Sequence, residues 1–140
     1  MNYIQQMENS TLKADKVLLD FARYRHAENL VNAQNMGKHY NRGDVLEICI
    51  SLVPVKRDGH HGSSSGDVVI NGIAYEIKYL TKKTSASVAL KGTSAPFHLI
   101  AFNDGNRLIF KAIPTKDLKV SKGKLKFQDN IGLGQEFKGF

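Results

Sequence analysis

Asp67, Glu76 and Lys78 are the three residues whose types and spacing could do chemistry, because a hairpin brings them together. Asn71-Gly72 stands between the apolar runs Val68–Ile70 and Ile73–Tyr79, and Asn-Gly is the strongest short signal for a type I′ hairpin turn. A two-residue loop there pairs Ile70 with Ile73, and counting outward sets Asp67 directly opposite Glu76. Side chains alternate faces along a strand, so Lys78 points the same way as Glu76. That face holds only Val69 and Ala74 besides, while Val68, Ile70, Ile73, Tyr75, Ile77 and Tyr79 form a core face. Two carboxylates opposite one another stand roughly 5 Å apart at Cβ and destabilise a sheet unless a cation separates them. A hard divalent ion such as Mg²⁺ takes one or two carboxylates plus water and phosphate oxygens. It can activate a water and offset charge on a leaving oxygen, and a neighbouring lysine can stabilise developing negative charge. The competing reading is a solvated polar face on which Lys78 neutralises its neighbours.

The elements that must position these residues follow from periodicity. Apolar residues from Leu12 to about Met36 recur at helical spacing after a possible cap at Ser10, predicting one long helix or two shorter ones. Asp44 to Leu52 predicts a second helix, stopped by Pro54 and carrying one acid, Glu47, in apolar company. Val55 to Gly66 reads as a Gly/Ser loop. Phe97–Phe102 and Arg107–Ile113 predict a hairpin around Asp104-Gly105, and Lys119–Phe127 a short basic hairpin turning at Lys122-Gly123. Helices first and mostly antiparallel strands after give an α+β or mixed α/β class.

Composition narrows the function classes. The chain has 140 residues, 41% apolar and 24% charged, which fits one domain with a sizeable core. The lone cysteine, Cys49, lies in an apolar run, reads as a small buried hydrophobe, and leaves no disulfide framework, as suits a reducing cytosol. Gln5, Gln6 and Glu8 stand where a secretory signal would need a basic start and a long apolar stretch, so a cytoplasmic protein without membrane attachment is expected. Residues 1–70 hold eight Lys/Arg and eight Asp/Glu, whereas residues 71–140 hold twelve and five, so the whole excess of +7 lies in the second half and favours a polyanion such as nucleic acid. Lys82, Lys83 and Lys91, following the acid-bearing strand, are the leading candidates for DNA contacts, with Thr81, Thr84, Ser85 and Ser87 able to reach phosphates or base edges. Lys116, Lys119, Lys122, Lys124 and Lys126 form a second basic set. His60-His61 has no partner at zinc spacing and reads as solvated. Ser63, Ser64 and Ser65 lack a nucleophile elbow, and no phosphate-binding glycine loop points to a nucleotide cofactor.

Asp67, then Glu76-Ile77-Lys78, with Glu47 on an upstream helix, resembles the PD-(D/E)XK nuclease superfamily, which includes restriction endonucleases and Holliday-junction resolvases. The resemblance runs from about Arg42 to Leu118 and is most similar to a small type II restriction endonuclease. It implies a central mixed β-sheet flanked by helices and a metal-dependent endodeoxyribonuclease using Mg²⁺, with Mn²⁺ able to substitute. Asp67, Glu76 and the Ile77 carbonyl would hold the metal, and Lys78 would assist the nucleophilic water. Glu47 either approaches the metal or points to water. Gly66 stands where the family pattern has proline. Cutting both strands of DNA would take a homodimer, for which the long N-terminal helix is the expected interface. The alternatives are a non-catalytic nucleic-acid-binding or regulatory protein and a protein-interaction module using its basic face.

Overall fold

A computed structural model describes residues 1–34, 40–55, 66–88 and 95–140. The predicted loop from Val55 to Gly66, with His60, His61 and the three serines, falls almost wholly outside them, as does Lys91. The chain divides into two compact units, Met1–Gly59 with Gly105–Leu108, and His60–Asp104 with Ile109–Phe140.

The first unit is helical: α1 Tyr3–Asn9, α2 Lys13–Tyr24, α3 Glu28–Ala33 and α4 Arg42–Ser51. The expected long helix is thus two shorter ones, because the chain turns at Arg25–Ala27 with His26 in the left-handed region at φ 56°. Ser10 caps no helix start. It ends α1, a helix the periodicity missed, and its hydroxyl donates to Asp15 at 2.6 Å. α1 is opened by a capping box in which Asn2 accepts from the Gln5 amide and Gln5 accepts from that of Asn2. α4 begins two residues before the expected Asp44, because the Asn41 side chain accepts from the amides of Gly43 and Asp44. Leu18, Leu19, Ala22, Val31, Val45, Leu46, Ile48 and Cys49 are buried in this unit. Burial pushes the Cys49 thiol up to about 12, which keeps it protonated. No helix among the described residues is long and apolar enough to cross a membrane.

The second unit is built on a five-stranded sheet in the order β1-β2-β4-β5-β8: β1 Val68–Ile70, β2 Ile73–Thr81, β4 Phe97–Asn103, β5 Leu108–Pro114 and β8 Gln135–Glu136. β3 Ser85–Ser87, β6 Val120–Ser121 and β7 Lys124–Lys126 form a separate three-stranded sheet in the order β3-β7-β6. The short helix α5 Phe127–Asn130 follows β7 directly. The class is mixed α+β with a mixed sheet, since β2 pairs β4 in parallel, Glu76 beside His98 and Lys78 beside Ile100. β1–β2, β5–β8, β3–β7 and β6–β7 pair antiparallel, so the strands are mostly antiparallel and the larger sheet is mixed, as expected.

The predicted type I′ turn at Asn71-Gly72 forms, with φ 51° and 79°, and the hairpin turn expected at Lys122-Gly123 has the same pair of positive φ angles, 52° and 74°. The β1–β2 register is the expected one: Ile70 pairs Ile73, Val69 pairs Ala74 and Val68 pairs Tyr75. The faces differ from expectation, because both are buried toward the end of β2. Leu80 shares the Glu76 face and joins Ile100, Phe102, Ile113, Leu125 and Phe127 in an apolar cluster, with Ala86, Val88 and Val120 against it. The opposite face carries Tyr75 against Phe97 and Phe137, while Phe140 closes on Phe110 and Phe137.

Candidate functional site

β2 is the central element of the site, and its two edges differ. Along its length one edge is held by β4 from Tyr75 to Thr81, whereas β1 pairs only as far as Tyr75. The backbone of Ile77 therefore faces the β1 edge beyond the end of β1. Asp67 fills that gap: one carboxylate oxygen accepts from the Ile77 amide at 2.9 Å. A residue's N–H and C=O leave a strand toward the same neighbour, so the Ile77 carbonyl projects on the Asp67 side as well.

Asp67 is not directly opposite Glu76, which corrects the register argument at its last step. The Asp67 amide donates to the Tyr75 carbonyl at 2.8 Å, while Val68 already pairs with Tyr75. Two residues opposing one is the signature of a β-bulge. Gly66 makes it possible, with φ at 97° and so close an approach that a Cβ would stand 2.9 Å from the Tyr75 carbonyl oxygen. Proline, fixed near φ of about −65°, cannot take this conformation. Glycine at position 66 is thus required by this backbone.

Glu76 is half-buried and its carboxyl is held above the usual range, first by burial and then by the Asp67 charge, with Lys78 opposing. Among the described residues no hydrogen bond or ion pair reaches this carboxylate. Lys78 spends one donor on the Ser87 carbonyl at 3.0 Å. An ammonium has three donors, so two are left among the described residues.

His98, paired beside Glu76 on the same face, is a site residue that periodicity alone did not single out. Its Nδ1 lies 3.0 Å from the Thr115 hydroxyl, which donates its one proton to the Ala95 carbonyl at 2.8 Å. Nδ1–H must then be the donor and Nε2 the unprotonated nitrogen. Burial, joined by the Lys78 charge, lowers the imidazole to about 4, so the ring is neutral near pH 7. The available signal was a lone polar residue inside the apolar run Phe97–Phe102.

Of the other expected residues, Lys82 and Lys83 are exposed in the turn between β2 and β3, with Lys82 set over the Phe127 ring at 6.0 Å from its centre. Ser85 is exposed at the start of β3. Glu47 belongs to the helical unit, half-buried on α4 between the fully buried Leu46 and Ile48. Among the described residues no three His, Cys, Asp or Glu side chains gather in a metal-holding group. What Asp67, Glu76 and Ile77 offer is two carboxylates and a carbonyl, the sparse oxygen set that Mg²⁺ accepts with waters completing its shell. Compared with known proteins, the chain matches no family model, no curated protein and no solved structure.

Proposed function

We propose that the chain is a metal-dependent endodeoxyribonuclease that hydrolyses phosphodiester bonds in DNA, in the manner of restriction endonucleases or junction resolvases. The observation that carries this reading is a pair of neighbouring carboxylates that the protein leaves short of positive charge. Asp67 raises Glu76 rather than relieving it, His98 is neutral, and Lys78 is drawn to the Ser87 carbonyl. A site that holds two acids beside a single lysine, itself bonded to the Ser87 carbonyl, suits a bound divalent ion.

Asp67, Glu76 and the Ile77 carbonyl are the proposed ligands of Mg²⁺ or Mn²⁺, which when bound would polarise the phosphate and acidify a water. The bulge at Gly66 and the bond from the Ile77 amide fix the Asp67 carboxylate before substrate arrives, so little ordering is left for the binding step. Lys78 keeps two donors for the attacking water and the phosphate oxygen while Ser87 holds its third. Glu47, in the other unit, is left out of this ligand set. Cleavage of both strands would bring in a second copy of the chain. With α2 and α3 in place of one long helix, no single helix is assigned to that contact.

A second reading has an observation of its own. Asp67 and Lys78 each have a backbone partner, which is what a purely structural role for both charges would need. That reading is a non-catalytic nucleic-acid-binding protein. Wild type and Glu76→Ala, incubated with plasmid, linear and branched DNA in Mg²⁺, in Mn²⁺ and in chelator, separate the two. Metal-dependent cutting lost in the variant is the expected outcome. Intact DNA throughout, with binding unchanged by the substitution, overturns the nuclease in favour of the binder.

A further inference from the structure

The small sheet is sorted by period-two alternation into a dry face and a wet one. β3 reads Ser-Ala-Ser, β7 Lys-Leu-Lys and β6 Val-Ser. Ala86, Leu125 and Val120 pack into the apolar cluster under Leu80 and Phe102. Their neighbours Ser85, Ser87, Ser121, Lys124 and Lys126 are all exposed. Antiparallel pairing sets Ser85 beside Lys126, and Ser87 and Ser121 on either side of Lys124. The outer face is therefore hydroxyls and ammonium groups in alternation, and no acidic residue lies on any of its three strands.

Ser87 joins this face to the acid-bearing strand. Its hydroxyl accepts from the Lys124 ammonium at 2.7 Å, and its carbonyl accepts from the Lys78 ammonium at 3.0 Å. Two cations are thus held on the two oxygens of one serine, one of them, Lys78, beside the Glu76 carboxylate and the other, Lys124, on the outer face. Lysine and serine in repeat are the groups that contact phosphate and sugar oxygens and carry no base specificity. Their spacing along paired strands suits an extended ligand with charges at regular intervals.

We propose that the outer face of the small sheet, through Lys124, Lys126, Ser85 and Ser87, binds the sugar–phosphate backbone of DNA and leads that strand to Lys78. The second half of this statement rests on the nuclease reading of Asp67, Glu76 and Lys78; the binding half does not. The ligand class is a phosphodiester chain, bound without regard to sequence.

The test uses Glu76→Ala protein in chelator, so that nothing is cut, and measures fluorescence anisotropy of a labelled DNA duplex across a salt series. Adding Lys124→Gln and Lys126→Gln should lower the slope of log affinity against log salt by about 1.8, at about 0.9 per phosphate contact, and weaken binding on the order of tens of fold near 0.1 M salt. Lys13→Gln with Lys138→Gln removes the same charge off the small sheet and should leave the slope unchanged. Lys124→Arg with Lys126→Arg should retain it. A slope unmoved by the Lys124/Lys126 pair, a slope moved equally by the Lys13/Lys138 pair, or no duplex binding at low salt overturns the proposal. A slope that falls as expected, in a protein whose wild type cuts nothing with Mg²⁺, keeps the binding face and removes the nuclease.

Discussion

Two buried acid sites in this chain are built on opposite principles. In the helical unit Asp15 is fully buried, yet every requirement of its charge is met. Arg42 donates at 2.6 and 2.9 Å to its two oxygens, and the Ser10 hydroxyl donates at 2.6 Å. Burial pushes its carboxyl upward, but the bonds from Arg42 and Ser10, with the Arg42 charge, outweigh that and hold it below the usual range. In the sheet unit Glu76 is less buried and goes the other way, first because burial disfavours its charge and then because the Asp67 carboxylate repels it, with only Lys78 opposing. A carboxylate wrapped in donors spends its charge on the fold; one left beside a second carboxylate keeps its charge for something that arrives later.

The largest effect expected from this contrast is on cleavage. Asp67→Asn or Glu76→Ala should lower the single-turnover rate of plasmid nicking by at least about 10²–10³-fold while leaving the urea midpoint at or above that of wild type. Asp15→Asn should do the reverse. It should cost about 2–3 kcal/mol of stability, read from urea unfolding, because it breaks a charge-assisted pair whose other half, Arg42, is partly solvated. Its nicking rate, measured where it is folded, should stay within a few fold of wild type. If Asp67→Asn unfolds the chain as Asp15→Asn does, the two sites are alike and the contrast is broken.

Local chemistry made much of this legible in the sequence. The turn at Asn71-Gly72 follows from two residues that tolerate positive φ and fixes the register as far as Val68, while at Lys122-Gly123 the glycine alone carries that signal. What failed was decided by contacts distant in sequence. The bulge that displaces Asp67 depends on how closely Gly66 approaches Tyr75, nine positions on, and strand alternation carries no sign of it. The parallel pairing of β2 with β4, which brings His98 beside Glu76, is a choice of partner that no local pattern encodes. Nor does anything near Ser87 announce Lys124, which reaches it across 37 positions. α1 is a different kind of miss, since Asn2 and Gln5 carry a capping signature that was there to be read.

A smaller effect sharpens the comparison through the metal. A ligand that binds the folded chain stabilises it by an amount set by its concentration over its dissociation constant, about 1–2 kcal/mol at roughly ten times that constant. Mg²⁺ should therefore raise the thermal midpoint of wild type and of Asp15→Asn, and should leave that of Glu76→Ala where it was. An equal rise in all three would place the ion away from Glu76 and remove the reason given for the unrelieved carboxylates.

The smallest effect is the dependence of metal-free stability on pH, where the two acids carry opposite signs. Asp15 titrates lower in the folded chain than its ordinary value of 3.8, so the unfolded chain binds more protons between the two values. Its contribution is present above 3.8 and is lost as pH falls through the folded value. Glu76 titrates higher than its ordinary value of 4.5, so the folded chain binds more protons and stability declines as pH rises from 4.5 through the folded value. Urea midpoints taken in chelator from pH 3 to 7 for wild type and Glu76→Gln isolate the second term. Their difference should open in favour of the variant only above about pH 4.5, because the glutamine has no charge to set against Asp67. A difference flat across that range would mean that Glu76 is relieved in solution by some group of the protein itself, and a bound cation would no longer be needed to account for the site.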